Sequence, residues 1–153
     1  MKKKFFFKIV TIIVVIFFAI CVLDNSRKYN IVNEIEEKYG IQFTSARILE
    51  ERKSDVGWYG EQQKFICVCS RQLSMSFYYR DLGLDQKQRI TEIEKSLNVK
   101  HSIDFNDIEG YKFFKFSKPA FGFEKTEDHI YVLFDLDKPL KTYVIEDLNV
   151  ISK

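Results

Sequence analysis

Hydrophobic and polar positions along this chain follow two regimes. The first is MKKKFFFKIVTIIVVIFFAICVL, Met1 to Leu23, in which three lysines precede an apolar run broken only by Lys8. Nineteen helical residues, Phe5 to Leu23, span roughly 28 Å at ~1.5 Å each, close to the ~30 Å hydrocarbon core of a bilayer. At about −0.3 to −0.6 kcal/mol per large apolar residue, insertion of such a run is favoured by several kcal/mol. Lys8 lies one turn from the end, so its stem can follow the helix while the ammonium reaches the headgroups. In lipid the backbone must bond to itself, so the Ile, Val and Phe of this run read as helix.

The second regime, Asp24 to Lys153, alternates between helical and strand periods. Asp24 or Asn25 can cap a helix from Ser26 to Tyr39, in which Ile31, Ile35 and Tyr39 recur every four residues and Gly40 stops the run. No Pro or Gly separates Leu23 from this segment, so membrane helix and first helix can run on as one rigid stalk. Ile41 to Arg52 reads as a strand with imperfect alternation. Ser54-Asp55-Val56-Gly57-Trp58-Tyr59-Gly60-Glu61 reads as a turn. Lys64 to Ser70 is the return strand. Its two apolar faces, Phe65, Cys67 and Cys69 against Ile66 and Val68, place it inside a sheet.

Leu73, Met75, Phe77 and Tyr79 alternate with polar neighbours and predict a further strand within Arg71 to Arg80. Asp85, with Gln88 as a capping-box partner, opens a second helix to about Leu97 whose narrow stripe is Ile90, Ile93 and Leu97. Strands follow at Tyr111–Phe116, His129–Leu136 and Leu140–Glu146, the last two joined by Asp137-Lys138-Pro139. The expected fold class is α+β. An N-terminal transmembrane helix, residues 1–23, is followed by one small domain, residues 24–153, with two helices on one face of an antiparallel sheet of about five or six strands.

Charge refines this picture. The first 23 residues hold four Lys and no acid, which leaves 20 Lys and Arg against 22 Asp and Glu in the domain, about −2. That balance implies no basic face, so nucleic acid is not an expected partner. The lysines ahead of the apolar run, against a nearly balanced Asp24–Lys28, keep the N-terminus in the cytoplasm and send the domain across. The expectation is a single-pass protein of the cell membrane, held by an uncleaved signal-anchor that contacts lipid through residues 5–23. Cleavage after the Ala19/Cys21 pair and lipidation at Cys21 are the competing fates. Cys is a mediocre residue before a cut, and bulky Ile20 precedes Cys21.

Candidate chemistry is sparse. Cys67 and Cys69 sit at i and i+2 on a strand, which holds their Cα atoms near the upper limit for a bridge and would strain a disulfide, and they read as small buried apolar residues. His101 and His129 pair by spacing with no nucleophile. Asp104 to Gly110 fails the calcium-loop pattern at Ile108 and Glu109. Glu50, Glu51 and Asp55, interleaved with Arg52 and Lys53, read as a solvated charged edge. No catalytic residue, metal site or cofactor is expected. The one candidate binding site is the turn, where the only Trp, Trp58, stands beside Tyr59 between two glycines; Trp and Tyr dominate binding hot spots.

The anchor, the ILEERKSD strand, the GWYG turn and the GYKFF…IYVLFDLDKPLKTYVIED segment together resemble small uncharacterised membrane-anchored or exported proteins of Gram-positive bacteria. That resemblance implies no activity. The function expected is a membrane-anchored, non-catalytic extracytoplasmic domain that binds a protein partner in the envelope. The alternatives are an immunity-type protective membrane protein and a small envelope enzyme.

Overall fold

The first element is one unbroken helix, α1 (Lys2–Tyr39). It passes through Asp24 without a cap; the Asp24 carboxylate instead pairs with Lys28 one turn on, at 2.7 Å. The apolar run and the segment after it are thus a single helix, as the absence of Pro and Gly suggested. It ends at Gly40, whose φ of 64° is the left-handed conformation a glycine adopts without strain, and whose N–H bonds to the Glu36 carbonyl at 3.0 Å. From Val10 to Leu23 the large apolar side chains are exposed, from 42% at Val10 to 70% at Phe18. The helix is long and apolar enough to cross a membrane.

The computed structural model describes residues 2–57, 61–74, 82–118, 126–137 and 139–151. The chain divides into two compact units, Met1–Gly40 and Ile41–Lys153. The second unit is α+β. Its strands are β1 (Gln42–Thr44), β2 (Arg47–Lys53), β3 (Gln62–Ser70), β4 (Gln72–Ser74), β5 (Ile108–Lys118), β6 (Thr126–Asp135) and β7 (Leu140–Ile151), with α2 (Leu84–Ser96) between β4 and β5. Five of them form one sheet in the order β2-β3-β7-β6-β5, every neighbour antiparallel. The remaining two, β1 and β4, make a separate two-stranded ladder.

The single strand expected over Ile41 to Arg52 is therefore two strands in different sheets. Ser45, at a φ of 55°, turns the chain between them, which accounts for the broken alternation. The strand expected over Arg71 to Arg80 is β4 as far as Ser74; residues 75–80 lie outside the described residues, as does Lys138 of the last turn. The helix cap also differs. Gly83, not Asp85, is the N-cap, and the Gln86 side chain accepts the Gly83 N–H at 3.3 Å, which is one half of a capping box.

The middle strand of the five is β7, which comes last in the chain. One face of the sheet carries Phe65, Cys67, Tyr131, Leu133, Tyr143 and Ile145, packed under Ile90 and Ile93 of α2 and under Leu82 and Ile103. Each fully buried aliphatic or aromatic side chain here contributes about 1.5–3 kcal/mol. On the opposite face Ile66, Val68, Val132, Phe134 and Val144 are buried as well. Strands buried on both faces read as continuous apolar runs, which is why β3 and β6 stood out in the sequence. Asp135 and Lys141, cross-strand partners joined at 2.8 Å, close the β6–β7 hairpin.

Candidate functional site

Trp58 and Tyr59, the binding residues expected from sequence, lie outside the described residues. The flanks of their turn are described. Ser54 and Gln63 close it at the base: the Ser54 N–H donates to the Gln63 carbonyl, and the Gln63 N–H donates to Ser54 Oγ, both at 2.9 Å. Further out, the Gly57 N–H donates to the Glu61 carbonyl at 2.9 Å. A Cβ on Gly57 would run into the Glu61 carboxylate, which would have to swing aside.

These flanks border an open cleft of about 530 Å³. Asp55, Gly57, Glu61 and Gln63 form one side; Arg89 of α2 with Asp147 and Leu148 of β7 form the other. Arg89 lies one turn before Ile93, so the stripe that seats α2 on the sheet carries its guanidinium to the strand end. There it forks onto Asp147, Nε to Oδ2 at 2.7 Å and Nη2 to Oδ1 at 3.0 Å. Nη1 reaches Glu92 at 3.3 Å. The hydrogen bond to Asp147 raises the Arg89 pKa further, so the guanidinium stays charged. Ser96 Oγ donates to the Gln63 side-chain oxygen at 2.6 Å and ties the turn's base to the helix. Three acids and one arginine make the lining net acidic. It is built to hydrogen-bond and to attract cations, and the only hydroxyl among its described lining residues, on Ser54, already donates to the Asp55 carbonyl at 3.0 Å.

A second polar cluster surrounds Glu50, and here the sequence reading is corrected. Glu50 is not part of a solvated edge; it is 7% exposed. Its carboxylate accepts the backbone N–H groups of Lys100 and His101 at 2.7–3.0 Å, the Arg52 Nε at 2.8 Å, and lies 3.0 Å from His101 Nδ1. Burial alone would raise its pKa, but these bonds more than reverse that and hold it at about 2. The cluster fastens the loop after α2 to β2. His101 is thus a loop-end histidine with a structural partner. His129 sits on β6 beside Glu127, at 3.1 Å.

Cys67 and Cys69 are free thiols. Burial pushes Cys67 up to about 12, which keeps it protonated and unreactive. Asp104 accepts the Asn106 N–H at 3.0 Å in a turn that leads into β5. Among the described residues no group of three or more His, Cys, Asp or Glu could hold a metal ion. Sequence reasoning missed Arg89 and Asp147 as partners. The available signals were Asp147 continuing the core-facing alternation Tyr143, Ile145, and Arg89 at four residues from Ile93. Compared with known proteins, the chain matches no family model, no curated protein and no solved structure.

Proposed function

We propose that this is a single-pass membrane protein with its N-terminus in the cytoplasm and residues 24–153 outside, where the second unit binds a polypeptide partner of the cell envelope. The observation that carries the reading is the band from Val10 to Leu23 on α1, large apolar side chains exposed all round the helix. Water disfavours such a surface and lipid accommodates it. Four lysines, Lys2, Lys3, Lys4 and Lys8, stand before the band and support the orientation. Recognition falls to the β2–β3 turn, with Trp58 and Tyr59 as its anchors, and to the cleft lined by Asp55, Glu61, Arg89 and Asp147. The test has two arms. Protease added to intact spheroplasts should digest the domain, and a photo-crosslinking residue at position 55 should capture one defined envelope protein. A protected domain, or a mature chain that begins near Val22, overturns the topology. Capture of nothing at position 55 or elsewhere on the surface overturns the binding role.

A further inference from the structure

Among the described residues the five-stranded sheet has two edges, and β5 is the longer, at eleven residues against seven for β2. An edge strand leaves a row of backbone N–H and C=O groups without partners, and soluble proteins blunt such edges when they are not used. Here the outer half of β5 is lined with aromatics. Phe113 is 37% exposed and Phe116 51% exposed. Phe113 is held flat on Tyr131, ring centroids 5.0 Å apart, and Phe114 stacks on Phe116 at 6.4 Å. Two lysines interleave them. Lys115 pairs with Glu127 at 2.8 Å but remains 51% exposed. Among the described residues no acid pairs with Lys112.

Alternation along the strand puts Lys112, Phe114 and Phe116 on one face and Phe113 and Lys115 on the other. Each face of the edge therefore offers one cation and exposed aromatic surface. We propose that the β5 edge accepts an extended segment of the envelope partner as an added antiparallel strand, and that this segment carries two acidic residues three positions apart with apolar residues between. Backbone bonds along the edge supply affinity, and the spacing of Lys112 and Lys115 supplies specificity.

Two other occupants fit less well. Two β5 edges from separate copies would bring six lysines against two glutamates, counting Lys112, Lys115, Lys118 and Glu109 on each. A bilayer interior cannot satisfy the unpaired backbone groups of a strand edge. The inference rests on the reading of the domain as a binding module, but not on the cleft at the β2–β3 turn.

The experiment uses the full chain in nonionic detergent and the synthetic octapeptide Ser-Val-Glu-Val-Val-Glu-Val-Ser carrying a fluorophore, followed by anisotropy. Binding should weaken at least tenfold when both glutamates become lysines, and at least tenfold when alternate peptide nitrogens are methylated. Lys112→Glu should weaken binding of the glutamate peptide and narrow its advantage over the lysine peptide. Methylation leaves the protein untouched, so that arm reads out even if a protein variant misfolds. Equal binding of the methylated peptide, or no binding of any peptide, overturns the proposal. So does self-association that Phe116→Ser abolishes, or quenching of a Phe116→Trp, Trp58→Phe chain by brominated phosphatidylglycerol in vesicles. In cells, an envelope protein captured from position 55 but never from position 116 leaves the anchored-binder reading standing and removes this one alone.

Discussion

The two edges of the main sheet solve the same physical problem differently. In β2, five of the seven residues are charged, Arg47, Glu50, Glu51, Arg52 and Lys53, and a register shift between Ile48 and Glu50 breaks the ladder. Its one buried acid, Glu50, draws the 100–101 loop against the strand. Charge, irregularity and a fastened loop are three ways of making an edge unattractive to other strands. In β5 the register shift lies at Ile108/Gly110, at the buried end, and pairing with β6 then runs without interruption to Lys118. The exposed end keeps its phenylalanines. One edge is fastened by a loop of its own chain; along the other, no strand among the described residues pairs with β5. The difference teaches that exposure of Phe113 and Phe116 is not a by-product of a small sheet, since the same sheet shows how an edge is shielded.

The largest expected effect tests whether one core supports both edges. Phe134 is fully buried on β6, opposite Gly110 of β5 and Thr142 of β7. Phe134→Ala should cost about 3–5 kcal/mol. Chemical denaturation of the full chain in nonionic detergent would measure it, and amide hydrogen exchange should accelerate equally on β2 and β5. Acceleration confined to β5 would show that the edges are held independently and would break the comparison.

Removing the fastening of β2 comes next. Glu50 titrates near 4.5 in an unfolded chain and at about 2 here. Because the folded value is lowered, the stabilisation is complete above the unfolded value and is lost as the pH falls from about 4.5 towards 2. The shift corresponds to roughly 3 kcal/mol. Glu50→Gln should therefore destabilise by about that amount at neutral pH, and the gap between variant and wild type should close in acid. Glu94 acts with the opposite sign. Burial raises its carboxyl, against the single Ile103 N–H bond that lowers it, so its penalty at neutral pH eases in acid. A Glu94→Gln background isolates the Glu50 limb. A gap that persists unchanged at pH 2 would mean that Glu50 acts by shape and not by charge.

Arg89→Ala is expected to cost somewhat less, roughly 2 kcal/mol. It strands Asp147, whose side chain is 4% exposed, but Arg89 itself is 37% exposed and solvent weakens the pair. The loss should shrink modestly at high salt and should be accompanied by weaker partner capture from position 55. A loss without any change in capture would make the pair a purely structural clamp between α2 and β7.

The legible parts of the fold were those where one residue type repeats in place. HIYVLFDL and KFICVCS are apolar on both faces, and they lie inside the sheet as β6 and β3. Ile90 and Ile93 announced the buried stripe of α2. The parts that escaped depend on residues distant in sequence or on single backbone angles. Nothing local marks Ser45 as a left-handed turn that sends β1 and β2 to different sheets. Glu50 looks like its neighbour Glu51 until the amides of Lys100 and His101, fifty residues away, arrive at its carboxylate. The centrality of β7 was hidden because LKTYVIED alternates with polar residues. Thr142, Glu146 and Asp147 are nevertheless buried there. At the candidate site the turn was read from its Trp and glycines, whereas the Arg89–Asp147 pair on the cleft's other wall joins residues 58 apart.

The smallest expected effect is the one that sharpens the contrast most. Phe116→Ser removes an aromatic ring that is half exposed and whose described ring partner is Phe114 alone, stacked at 6.4 Å. Apolar area already in water stabilises nothing, and the stacking gain of about 0.5–1.5 kcal/mol for an aromatic pair is at its low end for rings 6.4 Å apart with Phe116 half in solvent. The variant should therefore unfold within about 0.5 kcal/mol of wild type. Arg52→Ser on the opposite edge, which deprives Glu50 of a 2.8 Å donor, should lose more, although an arginine is the residue that looks dispensable on a surface. Denaturant midpoints of the two variants, measured side by side in the same detergent, decide the order. If Phe116→Ser loses more than about 1.5 kcal/mol, the ring supports the sheet and β5 is a closed edge like β2. If Arg52→Ser is the more damaging, the charged edge is the structural one and the aromatic edge is kept for something outside the chain.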